Sequence, residues 1–297
     1  MLTVSRRGFL RASLPLLIVH SSRAVTALGH AGSPQISWLP KDAFPGDVIR
    51  VELVGATALE ELTLQFIEQP LQFQGTEKRV WRAYAGIDLE TKPGQYWIKG
   101  TVKPAEGSPL SVAREMRILP RRFPIERITV AEKYSTPKPE DQTRAEEESK
   151  RLSALWKQIT PEKLWHGHFV LPIPSQRSTG FGRRRIVNNH PRSPHSGVDL
   201  KAPTGTPIEA ANDGRVVLAE ELFFSGNTVI IDHGLALYTF YAHCSELLVS
   251  NGHAIKKRDI VGKVGATGRV TGPHLHWACR INTARVNPVI LTEAWIS

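Results

Sequence analysis

The sequence predicts a mainly β protein in two parts separated by one charged helix. Three observations carry that reading. Short apolar-polar alternations recur in both halves of the chain, glycine- and proline-bearing turns separate them, and one stretch rich in Glu, Lys, Arg, Ala and Leu interrupts them. A period of two marks a half-buried strand, and spacing of three to four marks an amphipathic helix.

In the first half, Val48-Ile49-Arg50-Val51-Glu52-Leu53 and Leu62-Thr63-Leu64-Gln65-Phe66-Ile67 alternate, as do Val80 to Tyr84 and Gln95 to Val102. Pro45-Gly46-Asp47 and Lys92-Pro93-Gly94 punctuate them as turns. Strands at that spacing predict a small antiparallel β-sandwich over residues 32–125. No catalytic cluster occurs there, so it reads as an accessory domain that positions or shields something else. Residues 126–164 read as a linker. Pro139-Glu140-Asp141 opens its helix, and Leu152, Leu155, Trp156 and Ile159 form one apolar stripe. Glu146-Glu147-Glu148 reads as a solvated face. Such a helix is semi-rigid and is expected to hold the flanking domains at a defined separation. From 165 to 297 the chain is β again, with turns at Asn212-Asp213-Gly214, Asp232-His233-Gly234 and Asn251-Gly252.

The first 31 residues have a different composition. They contain Arg6, Arg7, Arg11 and Arg23 and no acid, and Ser5-Arg6-Arg7-Gly8-Phe9-Leu10 is a twin-arginine pattern before the apolar run Leu14 to Val19. A basic start, a short apolar run and small residues near Ala27 to Ala31 read as a signal peptide over 1–31, with an ordinary Sec leader as the competing reading. The run is far shorter than the ~20 residues of a membrane span, so no integral membrane segment is expected after its removal. The expected location is outside the cytoplasm, in the periplasm or cell envelope. With 38 Lys plus Arg against 28 Asp plus Glu, the formal charge is +10. That surplus suits a polyanionic surrounding without choosing one, and no basic-aromatic motif points to nucleic acid. Cys244 and Cys279 are too few for a disulfide scaffold. They read as two small buried residues, with pairing as the alternative.

Eleven histidines are present. His195-Ser196-Gly197-Val198-Asp199 sets an imidazole and a carboxylate four apart, on one face of an extended chain. His274-Leu275-His276 sets two imidazoles on one strand face. Two histidine nitrogens and one carboxylate oxygen make a three-ligand zinc set with a fourth position open. His243 ends a strand on which Thr239, Tyr241 and His243 are expected to share a face, with Cys244 on the other. An imidazole there supplies a proton acceptor or an oxyanion donor. There is no His-Glu-x-x-His helix and hence no glutamate base of that kind. His166 and His168 read as exposed residues entering the domain, and His190, His233 and His253 as turn residues.

Taken in order, these segments resemble the lysostaphin/LytM-type zinc metallopeptidases. The matching runs are Phe181-Gly182-Arg183, His195 to Leu200, Pro203 to Ile208, Ala211 to Val216, Tyr241-Ala242-His243, Gly265 to Gly268, Thr271 to Trp277, and Val286-Asn287-Pro288. The resemblance covers roughly residues 165–290. It implies a groove-forming antiparallel β catalytic domain with one Zn2+ per chain on His195, Asp199 and His276, and with His243 and His274 as catalytic histidines. It implies a zinc metalloendopeptidase that hydrolyses peptide bonds in peptidoglycan, with other cell-wall or division proteins as candidate partners. The alternative is an inactive wall-binding protein or amidase activator of the same fold. Such proteins lose ligands, whereas this chain keeps the full set.

If the twin-arginine reading holds, changing both Arg6 and Arg7 to Lys strands the precursor inside the cell, as fractionation and immunoblotting would reveal. Normal export of that double variant, blocked instead by Sec inhibition, would refute it.

Overall fold

The structure, a computed structural model, describes residues 34–55, 58–76, 80–174 and 178–296. The signal-peptide reading of residues 1–31 therefore lies outside the described residues. Among the described residues no helix is long and apolar enough to cross a membrane.

The N-terminal alternations become two four-stranded antiparallel sheets. One runs in the order Gln35–Leu39, Val48–Val54, Val80–Gly86, Gln74–Gly75. The other runs Gln69–Pro70, Leu59–Phe66, Gly94–Pro104, Leu110–Ile118. Ile49, Val51 and Leu53 point inward from the first, and Leu64, Phe66, Ile98 and Met116 from the second, into one shared core. Alternate residues on each strand thus fill the space between two sheets, which is the sandwich the pattern predicts.

The C-terminal half is built on a ten-stranded sheet. Its main path is Ser178–Thr179, Gly197–Leu200, Leu275–Ile281, Leu237–Leu247, Gly226–Asp232, Gly214–Leu222 and Ala254–Ile255. The central strand Gly226–Asp232 is apolar on both faces because both are covered. Val229 and Ile231 enter the main core with Trp165, Tyr241 and Trp277, while Ile230 enters a second one with Leu218, Leu222 and Tyr238. Cys244 and Cys279 are free and buried.

The second core is capped by the helix Pro139–Leu155. Proline at its first turn and Glu140 and Asp141 beside it suit a helix start. Leu152, Leu155 and Trp156 pack onto the sheet, with the Trp156 ring edge-on to Tyr238 at 5.5 Å and the Arg280 guanidinium over it at 5.1 Å. Three sequence expectations change here. Ile159 lies past the helix end and is exposed. Glu146 and Glu147 are solvated, but Glu148 is buried, pairing with Arg144 Nε at 2.7 Å and accepting the Phe223 N–H at 2.8 Å. A carboxylate that answers a buried backbone donor cannot face water. The helix is also no spacer, because it lies on the C-terminal sheet and the sandwich meets that domain directly. Arg285 Nη2 lies 2.6 Å from Asp88 Oδ1, and Arg50 donates to the Trp295 carbonyl at 2.9 Å.

The chain leaving the sandwich contributes one more element. Ile125–Ile128 pairs in parallel with Arg184–Val187, which pairs antiparallel with His190–Pro191. This small sheet carries charged side chains to the rim of the ligand cluster described below.

Trp156 is the main apolar anchor of the helix. Trp156→Ala is expected to destabilise the protein by about 3–5 kcal/mol, read as a lowered urea midpoint. An unchanged midpoint would show that the helix does not depend on this contact.

Candidate metal centre and active site

Gly197–Leu200 and Leu275–Ile281 pair antiparallel with Asp199 directly opposite His276. Side chains so placed have Cβ atoms about 5 Å apart. His195, in the loop entering the first of these strands, folds back over the pair. His195 Nε2 lies 2.9 Å from His276 Nδ1 and 3.1 Å from Asp199 Oδ1, and His276 Nδ1 lies 3.0 Å from Asp199 Oδ1. Among the described residues this is the one cluster of three His, Cys, Asp or Glu side chains whose donor atoms lie within 4.8 Å of one another.

The contacts around the cluster decide its chemistry. The Gly180 carbonyl lies 2.9 Å from His195 Nδ1. A carbonyl only accepts, so Nδ1 carries the proton and Nε2 is left with a lone pair. That lone pair faces the Asp199 carboxylate oxygen, another acceptor. Two acceptors at 3.1 Å repel unless a cation lies between them. Tetrahedral coordination at about 2.0–2.1 Å places donors about 3.3 Å apart, within a few tenths of an ångström of this arrangement. The donor set therefore fits zinc. Burial opposes ionisation of Asp199, yet the facing rings of His195 and His276 outweigh it and hold its carboxyl well below the usual carboxylate range. Burial pushes His276 down to about 4, so at neutral pH it too offers a lone pair.

Glycines make room for the cluster. Gly180 has φ +105°, and a Cβ on it would sit 2.7 Å from His195 Nδ1. A Cβ on Gly197 would meet the Trp277 carbonyl at 2.5 Å and His276 Cε1 at 2.9 Å.

His243 and His274 flank the cluster. Their ring centroids are 5.0 Å apart, and His243 is 5.9 Å from His276. The expectation that His243 shares a strand face with Thr239 and Tyr241 is not met. Thr239 and Tyr241 are fully buried on the core side, where the Tyr241 hydroxyl accepts the Ala211 N–H. The register slips between Asn227↔Cys244 and Val229↔Tyr241, so Ala242 and His243 oppose Thr228 alone. At this bulge His243 takes φ +66° and donates its N–H to the Ser225 carbonyl at 2.9 Å. The extra residue turns the imidazole out of the core and toward the ligands. Its Nδ1 meets the Thr267 carbonyl at 2.9 Å, and His274 Nδ1 meets the Gly272 carbonyl at 2.8 Å. Both rings are thus held as Nδ1–H tautomers with Nε2 free, and His274 Nε2 lies 3.6 Å from Asp199 Oδ1. Burial, then the neighbouring His276 and His274, lower His243 to about 3. It is neutral at pH 7.

The structure thus brings together all five side chains singled out from the sequence. His166, His168, His190 and His253 are exposed and outside the cluster. His233 is buried, its Nδ1 donating to the Asp213 carbonyl and its Nε2 accepting from Thr239 Oγ1. Sequence reasoning missed Arg185, which donates from Nη2 to Asp199 Oδ2 at 3.1 Å, and Glu126, whose carboxylate lies 3.4 Å from Arg185 Nε and 2.8 Å from Arg183 Nη1. The available signal was the alternation of Arg183 and Arg185 into the short strand Arg184–Val187; nothing local marks Glu126. Cavities of about 620 Å³ and 230 Å³ open beside the ligands.

Residues 193–288 match the family described as Peptidase family M23. The chain is 41% identical over 124 residues to the DD-carboxypeptidase/endopeptidase Mpg of Neisseria meningitidis serogroup B, covering 41% of this chain and 29% of that one. It is 40% identical over 114 residues to the peptidoglycan DD-endopeptidase ShyA of Vibrio cholerae, covering 37% and 26%. The chain spans under a third of the length of these curated relatives. A crystal structure of a candidate peptidase M23 from Pseudomonas aeruginosa superposes with a TM-score of 0.65 at 30% identity, covering 85% of this chain and 96% of that one.

Gly180 both orients His195 and leaves it room. Gly180→Ala is expected to weaken zinc binding by about 10–100-fold, measured by competition with a chromophoric chelator, with the circular dichroism spectrum retained. Parental affinity would show that the Gly180 contact does not orient the ligand.

Proposed function

The chain belongs to peptidase family M23, and from that premise we propose that it is a zinc-dependent endopeptidase hydrolysing peptide bonds in peptidoglycan. The observation that carries this reading is the convergence of His195 Nε2, Asp199 Oδ1 and His276 Nδ1, with two further imidazoles, His243 and His274, beside them. Bound zinc lowers the pKa of water to about 7 and polarises a carbonyl as a Lewis acid.

The remaining roles belong to the chain's own groups. His195, Asp199 and His276 hold the metal, and Gly180 and Arg185 hold two of those ligands in place. His243 and His274 each keep Nδ1–H on a backbone carbonyl and direct Nε2 at the groove. One takes the proton of the attacking water. The other, once its Nε2 bears a proton, hydrogen-bonds the oxyanion that develops on the scissile carbonyl. The acquired proton then passes to the leaving amine nitrogen.

The same reading assigns residues 165–297 as the peptidase domain, 126–164 as the linker, 32–125 as an accessory domain and 1–31 as an export leader. Its place of action is the cell envelope. The wall-directed names of the Neisseria and Vibrio relatives support the substrate class.

Two groups of variants are expected to separate. His276→Ala loses zinc, measured by elemental analysis, together with hydrolysis of purified peptidoglycan. His243→Ala and His274→Ala keep one zinc per chain and lose about 10²–10⁴-fold in turnover. Full zinc occupancy in the first variant, or parental turnover in either of the others, would overturn the corresponding role.

A further inference from the structure

The larger cavity beside the ligands, about 620 Å³, is lined by Arg183, Arg185, Lys201 and Arg269 along with His274, and Glu126 is its acidic wall residue apart from the ligand Asp199. Glu126 is committed to Arg183 and Arg185, and Asp199 to the imidazoles and Arg185. Lys201 is exposed at the mouth.

Arg269 differs from the other three. It is only partly exposed, and no carboxylate among the described residues lies within ion-pair distance of it. Its guanidinium stacks on the Phe224 ring at 4.6 Å, and its backbone N–H is fixed on the Phe224 carbonyl at 2.8 Å. Burial and the charges of Arg185 and Arg192 lower its pKa. It lines the 620 Å³ and 230 Å³ cavities, as do His243 and Arg185, but Arg185 is already committed to Asp199 and Glu126. A half-buried cation held in place among other cations is stabilised by an anion that enters from outside, and a guanidinium fork matches a carboxylate by paired hydrogen bonds.

We propose that Arg269 is a substrate-binding residue that receives a free carboxylate close to the scissile amide, so that the site selects acid peptides over their carboxamides. This deepens the endopeptidase reading and rests on it for the identity of the scissile bond. The carboxylate enters the larger cavity, the reacting amide lies over the zinc ligands, and Arg185 stays with Asp199 rather than turning to substrate. Neutral bridges such as glycine chains lack the group that Arg269 answers.

The test uses the zinc-loaded full chain and a non-hydrolysable dipeptide, acetyl-D-alanyl-D-alanine with a reduced (CH2–NH) central bond, as the free acid and as the carboxamide. Calorimetry is expected to give about tenfold or more tighter binding of the acid. Arg269→Gln binds the acid as weakly as the amide, and Arg269→Lys keeps part of the preference, both with parental zinc content and thermal midpoint. Equal binding of acid and amide by the parent overturns the proposal, even if no variant folds. So does an undiminished preference in Arg269→Gln. Because the probe is never cleaved, a failure to hydrolyse peptidoglycan would overturn the endopeptidase reading and leave the carboxylate preference standing.

Discussion

The pairing of Gly197–Leu200 with Leu275–Ile281 is the constraint on which the site depends. It sets Asp199 opposite His276 and leaves His195, on the same chain, only a short loop in which to complete the cluster. Every other contact at the centre adjusts this pair. Three backbone carbonyls, from Gly180, Thr267 and Gly272, take the Nδ1 protons of His195, His243 and His274. Carbonyls of a packed backbone hardly move, so the free nitrogens are aimed before any metal or substrate arrives. That is the preorganisation a charged transition state needs.

Packing explains why the pair stays in register. Leu275 and Trp277, on either side of His276, are fully buried, so a one-residue slip would carry imidazoles into the core and apolar rings into the groove. Beyond the neighbouring strand Leu237–Leu247, Gly226–Asp232 is covered on both faces, by the main core and by the helix Pro139–Leu155. The helix therefore belongs structurally to the sheet. The sandwich is fastened by Arg285 with Asp88, and its exit strand Ile125–Ile128 extends the small sheet that carries Arg185. Glu126 and Arg185, both outside the matched region 193–288, are consequently joined to Asp199 through two ionic contacts.

The electrostatics of the site are lopsided. The carboxylate of Asp199 sits among imidazoles and guanidiniums, and burial keeps His243 and His276 neutral while Asp199 stays ionised. Neutral imidazole and ionised carboxylate are the protonation states in which these groups bind a metal, so the chain prepares them without an external change of pH.

The sequence by itself determined the residue types and their local order. Alternation in Val48 to Leu53 and in Leu62 to Ile67 reveals which side chains face a core, because a strand's exposure repeats every second residue. His-x-x-x-Asp and His-x-His reveal candidate ligands for the same reason. Tertiary structure decided which face His243 takes, which nitrogen each histidine offers, that Glu148 is buried, and that Glu126 reaches Arg185. Local periodicity assumes an unbroken strand or helix, and the bulge at Ala242-His243 breaks it. The partners of Glu148, His195 and Arg185 lie 75, 15 and 59 residues away in the chain. Interactions over such separations exist only once the sheets have set their register, so no pattern of neighbouring residues encodes them.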